Sequence, residues 1–490
     1  MRAKDASSSV QSPSAQATRE PVSVSLQRLS SARPCRALVD RERHFALFSV
    51  LGPVGLKNES VTDGRAGDRQ TGGGRRNQQS PGQKLEGAAS AAGVTRRANF
   101  LELFFDLVLV FALLGIVSRV VLDLSADSPT RPWAGLLYVV VLVLPMMWLW
   151  TTTSHITSRF DPRRPAVQVM VLLTALGVVF MASSLPYAFI ERGYAFAIPY
   201  VALQVGRPLV LVGLVRNRLQ RALYTRAAIW FAVSAVPWLA GVLVQGGARV
   251  GLWALAITIE LVAARFSWPV PGVSRQLGSA WEPAKTHHLA ERYEQLLLIA
   301  VGESVLALGI TYTATPVSLA TTLALLVGFA TTVLLWRIYY YRAGQVLPEA
   351  IDEAGDRVTA ARRVGRAHVL MVLGIVFVAT GYELVVTHPG DHMHPAWLVV
   401  LLGGPIVFVI GRVGLERVVF DRVSRTRIIG IAALAAAAVP LAFTTPLIAA
   451  TSVFAIILGM ALADARHAWG RPLEAPSPAK KPSGARDSNV

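Results

Sequence analysis

Apolar runs, each about as long as a bilayer-crossing helix, fill the chain from residue 99 to residue 464, with short polar segments between most of them. Twelve are read, at 99–122, 133–153, 166–189, 194–215, 226–245, 248–266, 292–311, 317–336, 367–386, 396–411, 428–445 and 447–464. A helix rises about 1.5 Å per residue and a hydrocarbon core is about 30 Å thick, so a crossing takes about 20 apolar residues. The last two runs are short, and Pro440 and Pro446 either kink one helix or join two. The pattern predicts an all-α, polytopic integral membrane helix bundle with about 12 transmembrane helices.

The connections between the runs alternate in charge. Arg159, Arg163 and Arg164 follow the second run, and five arginines lie between residues 412 and 427. The connections after runs 7, 9 and 11 hold no Lys or Arg. Such one-sidedness marks the cytoplasmic side, so both termini are expected in the cytoplasm of a plasma-membrane protein. Composition agrees: the chain is 53% hydrophobic and 16% charged, with a mean hydropathy of +0.46, against roughly 25% charge in a soluble domain. The net charge of +18 raises nucleic acid as a partner, but the basic residues sit in loops between apolar runs, where they read as topology. A lipid bilayer is the expected partner and nucleic acid is not, while a homo-oligomer is compatible with the pattern. Residues 1–95 read as a disordered basic tail without a signal peptide, and residues 467–490 as a disordered C-terminal tail. The single Cys35 excludes an intrachain disulfide and a cysteine metal site. Residues 344–366 carry four acids and then four arginines, the pattern of an amphipathic helix at the membrane surface.

The runs also repeat. One offset of 197 residues carries Gly177 onto Gly374, Asp106 onto Glu303 and Pro208 onto Pro405. Three helices sharing one register predict a 6+6 duplication, with a first half at 96–290 and a second at 291–466. Six crossings is an even number, so the repeat is parallel, an arrangement common in transporters.

Ionisable residues inside the runs are the candidate chemistry, because a charge at that depth is costly. Glu303 falls roughly 16 Å into the seventh run, near the middle of the bilayer. Glu102 and Asp106 are four residues apart and share a helix face, so a basic group from another helix, a cation or a proton must separate their charges. Arg207 beside Pro208 is read as that basic group, with Arg337 and Arg412 nearer the helix ends. Glu260 adds a further acid and Glu383 ends the ninth run. A set rich in acids suits protons or cations better than anions. Asp106 and Glu303, equivalent in the repeat, are expected to meet or to line one cavity. His287 and His288 are adjacent and point about 100° apart, so with Glu291 and Arg292 they read as an interfacial entry to the seventh helix. No metal site, cofactor site or catalytic residue is expected, and no P-loop, HExxH, GxSxG or dinucleotide fingerprint occurs.

Two motifs together resemble a known family. They are Glu102-Leu-Phe-Phe-Asp-Leu-Val in the first run, and His287-His288-Leu-Ala-Glu-Arg-Tyr with Ala300-Val-Gly-Glu-Ser-Val around the seventh. With the Trp-rich second run and its Phe160-Asp161-Pro162 exit, residues 97 to 465 resemble the bacterial low-temperature-requirement protein A family, whose members are multi-pass membrane proteins. The resemblance singles out Glu102, Asp106, His287, His288, Glu291, Arg292, Gly302, Glu303 and Ser304, and leaves activity open. The expected function is a secondary transporter of a small solute or cation coupled to protons. The alternatives are a cation channel and an intramembrane enzyme acting on lipid.

Overall fold

Proline and polar turns punctuate the apolar text much as the pattern predicts. The computed structural model describes residues 100–126, 128, 130–270, 286–340, 344, 346–469 and 476; the tail read at 1–95, with Cys35, and nearly all of the C-terminal tail lie outside the described residues. The helices are α1 (Phe100–Leu124), α2 (Arg131–Arg159), α3 (Pro165–Ser184), which continues through a 3-10 turn at Leu185–Tyr187, α4 (Gly193–Leu214), α5 (Arg218–Leu243), α6 (Gly246–Arg265), α7 (Thr286–Ala314), α8 (Leu319–Tyr339), α9 (Leu347–Asp352), α10 (Arg357–Thr387), α11 (Pro395–Phe420), α12 (Arg425–Leu441) and α13 (Pro446–Ala468). Pro132, Pro165, Pro395 and Pro446 stand in first turns, where a missing N–H leaves no bond unmade.

Eleven of these helices are long and apolar enough to cross a membrane. The eleventh predicted run forms α12, whose 17 residues span about 26 Å, somewhat less than a bilayer core. Pro440 lies inside α12 and Pro446 opens α13, so the two prolines separate two helices rather than kink one. Large apolar side chains such as Phe111, Leu172, Val236 and Leu306 face outward, as a surface turned to lipid requires.

The surface helix expected at 344–366 takes another form. Residues 347–352 make only the short α9, whose Leu347 and Ile351 are buried because it packs against α7, α10 and α11. The arginines that follow belong to α10, which starts ten residues before the ninth run and is capped by the Asp356 side chain accepting from the Thr359 N–H. That bond and the Thr359 hydroxyl hold the Asp356 carboxyl below its usual range.

The two halves pack alike. In the first, α1 packs on α2 and α3, α2 on α3 and α6, α3 on α4, α4 on α5 and α5 on α6. The second half has the counterpart of every pair: α7 with α8 and α10, α8 with α10 and α13, α10 with α11, α11 with α12 and α12 with α13. The halves meet where α1 and α2 lie against α7 and α10. Here α1 and α7 are parallel, since Glu102 meets His288 and Asp106 meets Arg292 at one separation of 186 residues.

Equivalent glycines also do equivalent work with different tolerance. A Cβ at Gly177 would fall 2.5 Å from the tip of the Leu203 side chain on α4. At Gly374 it would fall 2.5 Å from the Phe408 amide nitrogen and 2.7 Å from the Gly404 carbonyl oxygen on α11. A side-chain tip can rotate; backbone cannot. Gly374→Ala is therefore expected to destabilise the folded protein in detergent by about 1–3 kcal/mol, and Gly177→Ala by clearly less. Thermal unfolding of the two purified variants checks the order, and equal losses would contradict it.

Candidate functional site

Glu102 and Asp106 lie one turn apart on the face of α1 that meets α7, and both are buried. Arg292, one turn beyond His288 on α7, reaches Asp106 with both guanidinium nitrogens, at 2.6 Å to Oδ2 and 2.7 Å to Oδ1. This two-pronged geometry is the strongest that a carboxylate and a guanidinium make. The Nε of Arg292 faces Glu102 Oε1 at 4.0 Å, ion-paired but beyond hydrogen-bonding distance. His288 Nε2 lies 3.2 Å from Glu102 Oε2, and its Nδ1 lies 3.1 Å from the Ser158 hydroxyl of α2. The Trp150 indole donates to Asp106 Oδ1 at 3.0 Å and its ring carries the guanidinium at 5.5 Å. Next to Arg292, Tyr293 stacks on His368 of α10, which bonds the Tyr339 hydroxyl of α8 at 3.0 Å. Two acids from α1 are thus met by one guanidinium and one imidazole from α7.

The expected partner was Arg207, and the structure gives that part to Arg292. Arg207 donates to Gln204 Oε1, to the carbonyls of Leu203 and Leu149 and to the Thr153 hydroxyl at 3.0 Å. Another basic residue, Arg119, lies within α1 and is closed onto Asp123 and the Pro186 carbonyl. The His288–Arg292 stretch reads as a polar helix entry because it precedes the apolar run. It becomes a core site because α7 begins at Thr286 and runs parallel to α1, so its first turns meet the acids. The equal spacing of four in Glu102/Asp106 and His288/Arg292 was the available signal. Glu291 is half-buried beside the cluster, and the side chain of His287 lies outside the described residues.

Glu260 occupies a second site, within the first half. Tyr200 and Gln204 of α4 donate to its Oε2 at 2.6 and 3.4 Å, and Ser234 and Trp238 of α5 donate to Oε1 at 2.9 and 3.0 Å. Gln204 joins this cage to Arg207, which gives the carboxylate a distant counter-charge through an amide.

Glu303 has neither a cation nor a donor. It is 0% exposed, and both of its carboxyl oxygens lack a hydrogen-bond partner. It sits eleven residues beyond Arg292, about 16 Å further along α7, so the two acids equivalent in the repeat do not meet. The physical reason is register: α1 and α7 pair at a separation of 186, not at the repeat offset of 197. Its electrostatic neighbour is Glu383 of α10. A fourth network, in which Arg412, Glu416 and Arg427 join α11 to α12 and Asp464 ties in α13, went unread in the sequence because its residues lie near helix ends. Among the described residues, no three His, Cys, Asp or Glu are grouped to hold a metal ion.

The described helices lie almost wholly within a region that a known family matches. Its sequence profile, described as bacterial low temperature requirement A protein (LtrA), matches residues 97–463. The chain belongs to the LtrA family. A similar protein is uncharacterized protein RA0937 of Rhizobium meliloti (strain 1021), 29% identical over 348 residues that cover 69% of this chain and 82% of the relative. No solved structure matches the chain. The matched region begins three residues before α1 and ends within α13, five residues short of its end, so it takes in nearly all of the described bundle.

Removing one partner of a buried pair exposes the other to an apolar medium. Arg292→Ala is expected to cost about 3–5 kcal/mol, and Arg292→Ala with Asp106→Asn less than Arg292→Ala alone. Unfolding of both variants in detergent checks this, and a double variant at least as unstable as the single one would deny the pair.

Proposed function

We propose that this LtrA-family protein is a secondary transporter of the bacterial plasma membrane that moves a small solute or cation coupled to protons, with both termini in the cytoplasm. The observation that carries the reading is the pair of unpartnered carboxyl oxygens of Glu303 at the centre of an apolar span. A carboxylate in that setting is several kcal/mol less favourable than in water, which leaves a bound proton or a transient cation as its means of neutrality. Exchange of that proton between the two sides is the coupling step. The parallel halves supply the movement, because rocking about the α1–α7 seam opens one face and closes the other. The Asp106–Arg292 pair and the Glu102–His288 contact latch one end of the seam.

Two observations favour this over the alternatives. The level of α1 that faces Glu303, offset by 186 residues, is Val117, between the buried Ile116 and Val120; that wall is apolar and does not suit an open cation channel. An enzyme acting on lipid would draw on the cluster of His287, His288, Glu291 and Glu294, and of these His288 is engaged by Glu102.

Glu303→Gln keeps the shape of the side chain but cannot exchange a proton. Its stability in detergent is expected to stay within about 0.5 kcal/mol of the wild type, since no partner loses a bond. In proteoliposomes supplied with a panel of labelled solutes and cations, the variant should lose the dependence of uptake on a pH gradient. A stable variant with undiminished pH-driven uptake would refute the coupling role.

A further inference from the structure

Counting hydrogens at the seam of α1 and α7 leaves one proton over. The Ser158 hydroxyl has a single hydrogen, which it donates to the Ser154 carbonyl at 2.7 Å. The contact of that hydroxyl with His288 Nδ1 at 3.1 Å is therefore one in which the ring donates. The other ring nitrogen, Nε2, faces Glu102 Oε2 at 3.2 Å, and this contact needs a hydrogen as well. A neutral imidazole has only one N–H, so the pair of His288 and Glu102 holds one proton more than a neutral ring and a carboxylate.

The network also accommodates the loss of that proton. With Nδ1 bare, Ser158 turns its hydrogen onto the ring, Nε2–H stays on Glu102, and the Ser154 carbonyl keeps the Thr157 hydroxyl at 3.3 Å. The polar groups stay satisfied; the charge does not. With the proton, the charges of Glu102, Asp106, Arg292 and His288 cancel. Without it, one negative charge is left over in a buried site whose remaining cation is committed to Asp106. The side chain of His288 is 23% exposed, whereas those of Glu102, Asp106 and Arg292 are 1%, 2% and 2% exposed, so water reaches the cluster at the imidazole.

Other charged and titratable groups stand at this end of the helices packed on α7. On α2, His155 and Arg159 flank Ser158, and on α7 itself Glu291 and Glu294 are half-buried. Arg337 and Tyr340 lie at the end of α8, and Tyr339 of α8 bonds His368 of α10 at 3.0 Å. Glu349 and Asp352 of α9 are exposed. On α10, Arg362 donates to the Ser267 hydroxyl at 3.2 Å, and Arg357, Arg363 and Arg366 are exposed. Variants of Glu102 and His288, taken together, separate the proton of this pair from theirs.

We infer that Glu102 and His288 form a proton-binding site of their own, filled from the end where α1 and α7 begin, and that the seam is closed there while the proton is bound and loosens when it leaves. This rests on the reading of the seam as the place where the halves rock, but it is tested without transport. The proton passes from the pair to water, and the pair goes from neutral to one negative charge. The closed seam holds the proton, and the opened one, with Glu102 hydrated, needs none; opening therefore rises with pH.

Backbone hydrogen exchange of the full-length protein in phospholipid nanodiscs, followed by peptide mass spectrometry over the first turns of α1 and α7, reads the seam. Rates are taken at about pH 5.5 and about pH 8.5, on either side of the ordinary imidazole value of about 6.5, and each is divided by the rate of an unfolded amide at the same pH. In the wild type the corrected exchange should rise about tenfold between the two, within the ceiling of about tenfold per pH unit that a single proton sets. His288→Gln should exchange fast at both pH values, because one negative charge is always left over. Glu102→Gln should exchange slowly at both, because Asp106 and Arg292 cancel without a proton. The double variant Glu102→Gln with His288→Gln should also be slow at both. These last two carry no excess buried charge, so they decide the matter even where His288→Gln does not assemble. A wild type whose corrected exchange ignores pH would overturn the inference. So would a pH response kept in Glu102→Gln, or a double variant as fast as His288→Gln. If the seam responds to pH while uptake proves independent of a pH gradient, the transport reading fails and the proton site stands; if uptake follows the gradient and the seam does not respond, the reverse holds.

Discussion

A guanidinium in the middle of an apolar bundle has to be met by a carboxylate, and the arrangement of this protein turns on the place where that occurs. Asp106 of α1 and Arg292 of α7 join in a two-pronged pair at 2.6 and 2.7 Å. Neither residue fits lipid alone, so their pairing fixes which helices form the seam and sets their register at 186 residues. His288 then falls on Glu102, Trp150 falls on both members of the pair, and the aromatic contacts of Tyr293 with His368 draw α8 and α10 to the same level. Two six-helix halves with one internal packing pattern are held together by a contact that only one end of the seam contains.

The same bundle treats its buried acids in three ways. Asp106 receives a full counter-charge. Glu260 receives four hydrogen-bond donors and a remote arginine through Gln204. Glu303 receives nothing. The first arrangement fixes structure, because either partner alone is expensive to bury. The second holds a charge in place with dipoles from α4 and α5, within a single half. The third costs stability in any state except the neutral one, and a sequence under no functional demand would replace it by an apolar side chain of similar volume.

Much of this architecture was legible in the chain. Apolar length gave the crossings and proline gave their ends, while the offset shared by Gly177, Asp106 and Pro208 predicted a repeat, and α1–α6 and α7–α13 pack in the same pattern. The partner of Asp106 was not legible, because periodicity along one helix says nothing about which helix lies beside it. Arg207 looked suitable on depth alone, yet α4 does not flank α1, and Arg207 turns to α2 instead. His288 and Arg292 looked interfacial because helix starts are ambiguous when polar residues precede an apolar run. The α9 segment was misread for a related reason: its charges suggested a surface helix, whereas Leu347 and Ile351 decide its burial.

The division between paired and unpaired acids makes one direct demand, that Glu303 carry a proton while the protein is folded in its membrane. Infrared spectroscopy of the protein in lipid, with ¹³C-labelled glutamate and Glu303→Gln as the subtraction partner, reads this without knowledge of the substrate. The account predicts a protonated-carboxyl C=O band at neutral pH that is absent from Glu303→Gln and unaltered in Glu260→Gln. A difference spectrum with only the symmetric and antisymmetric carboxylate bands for Glu303 would contradict it.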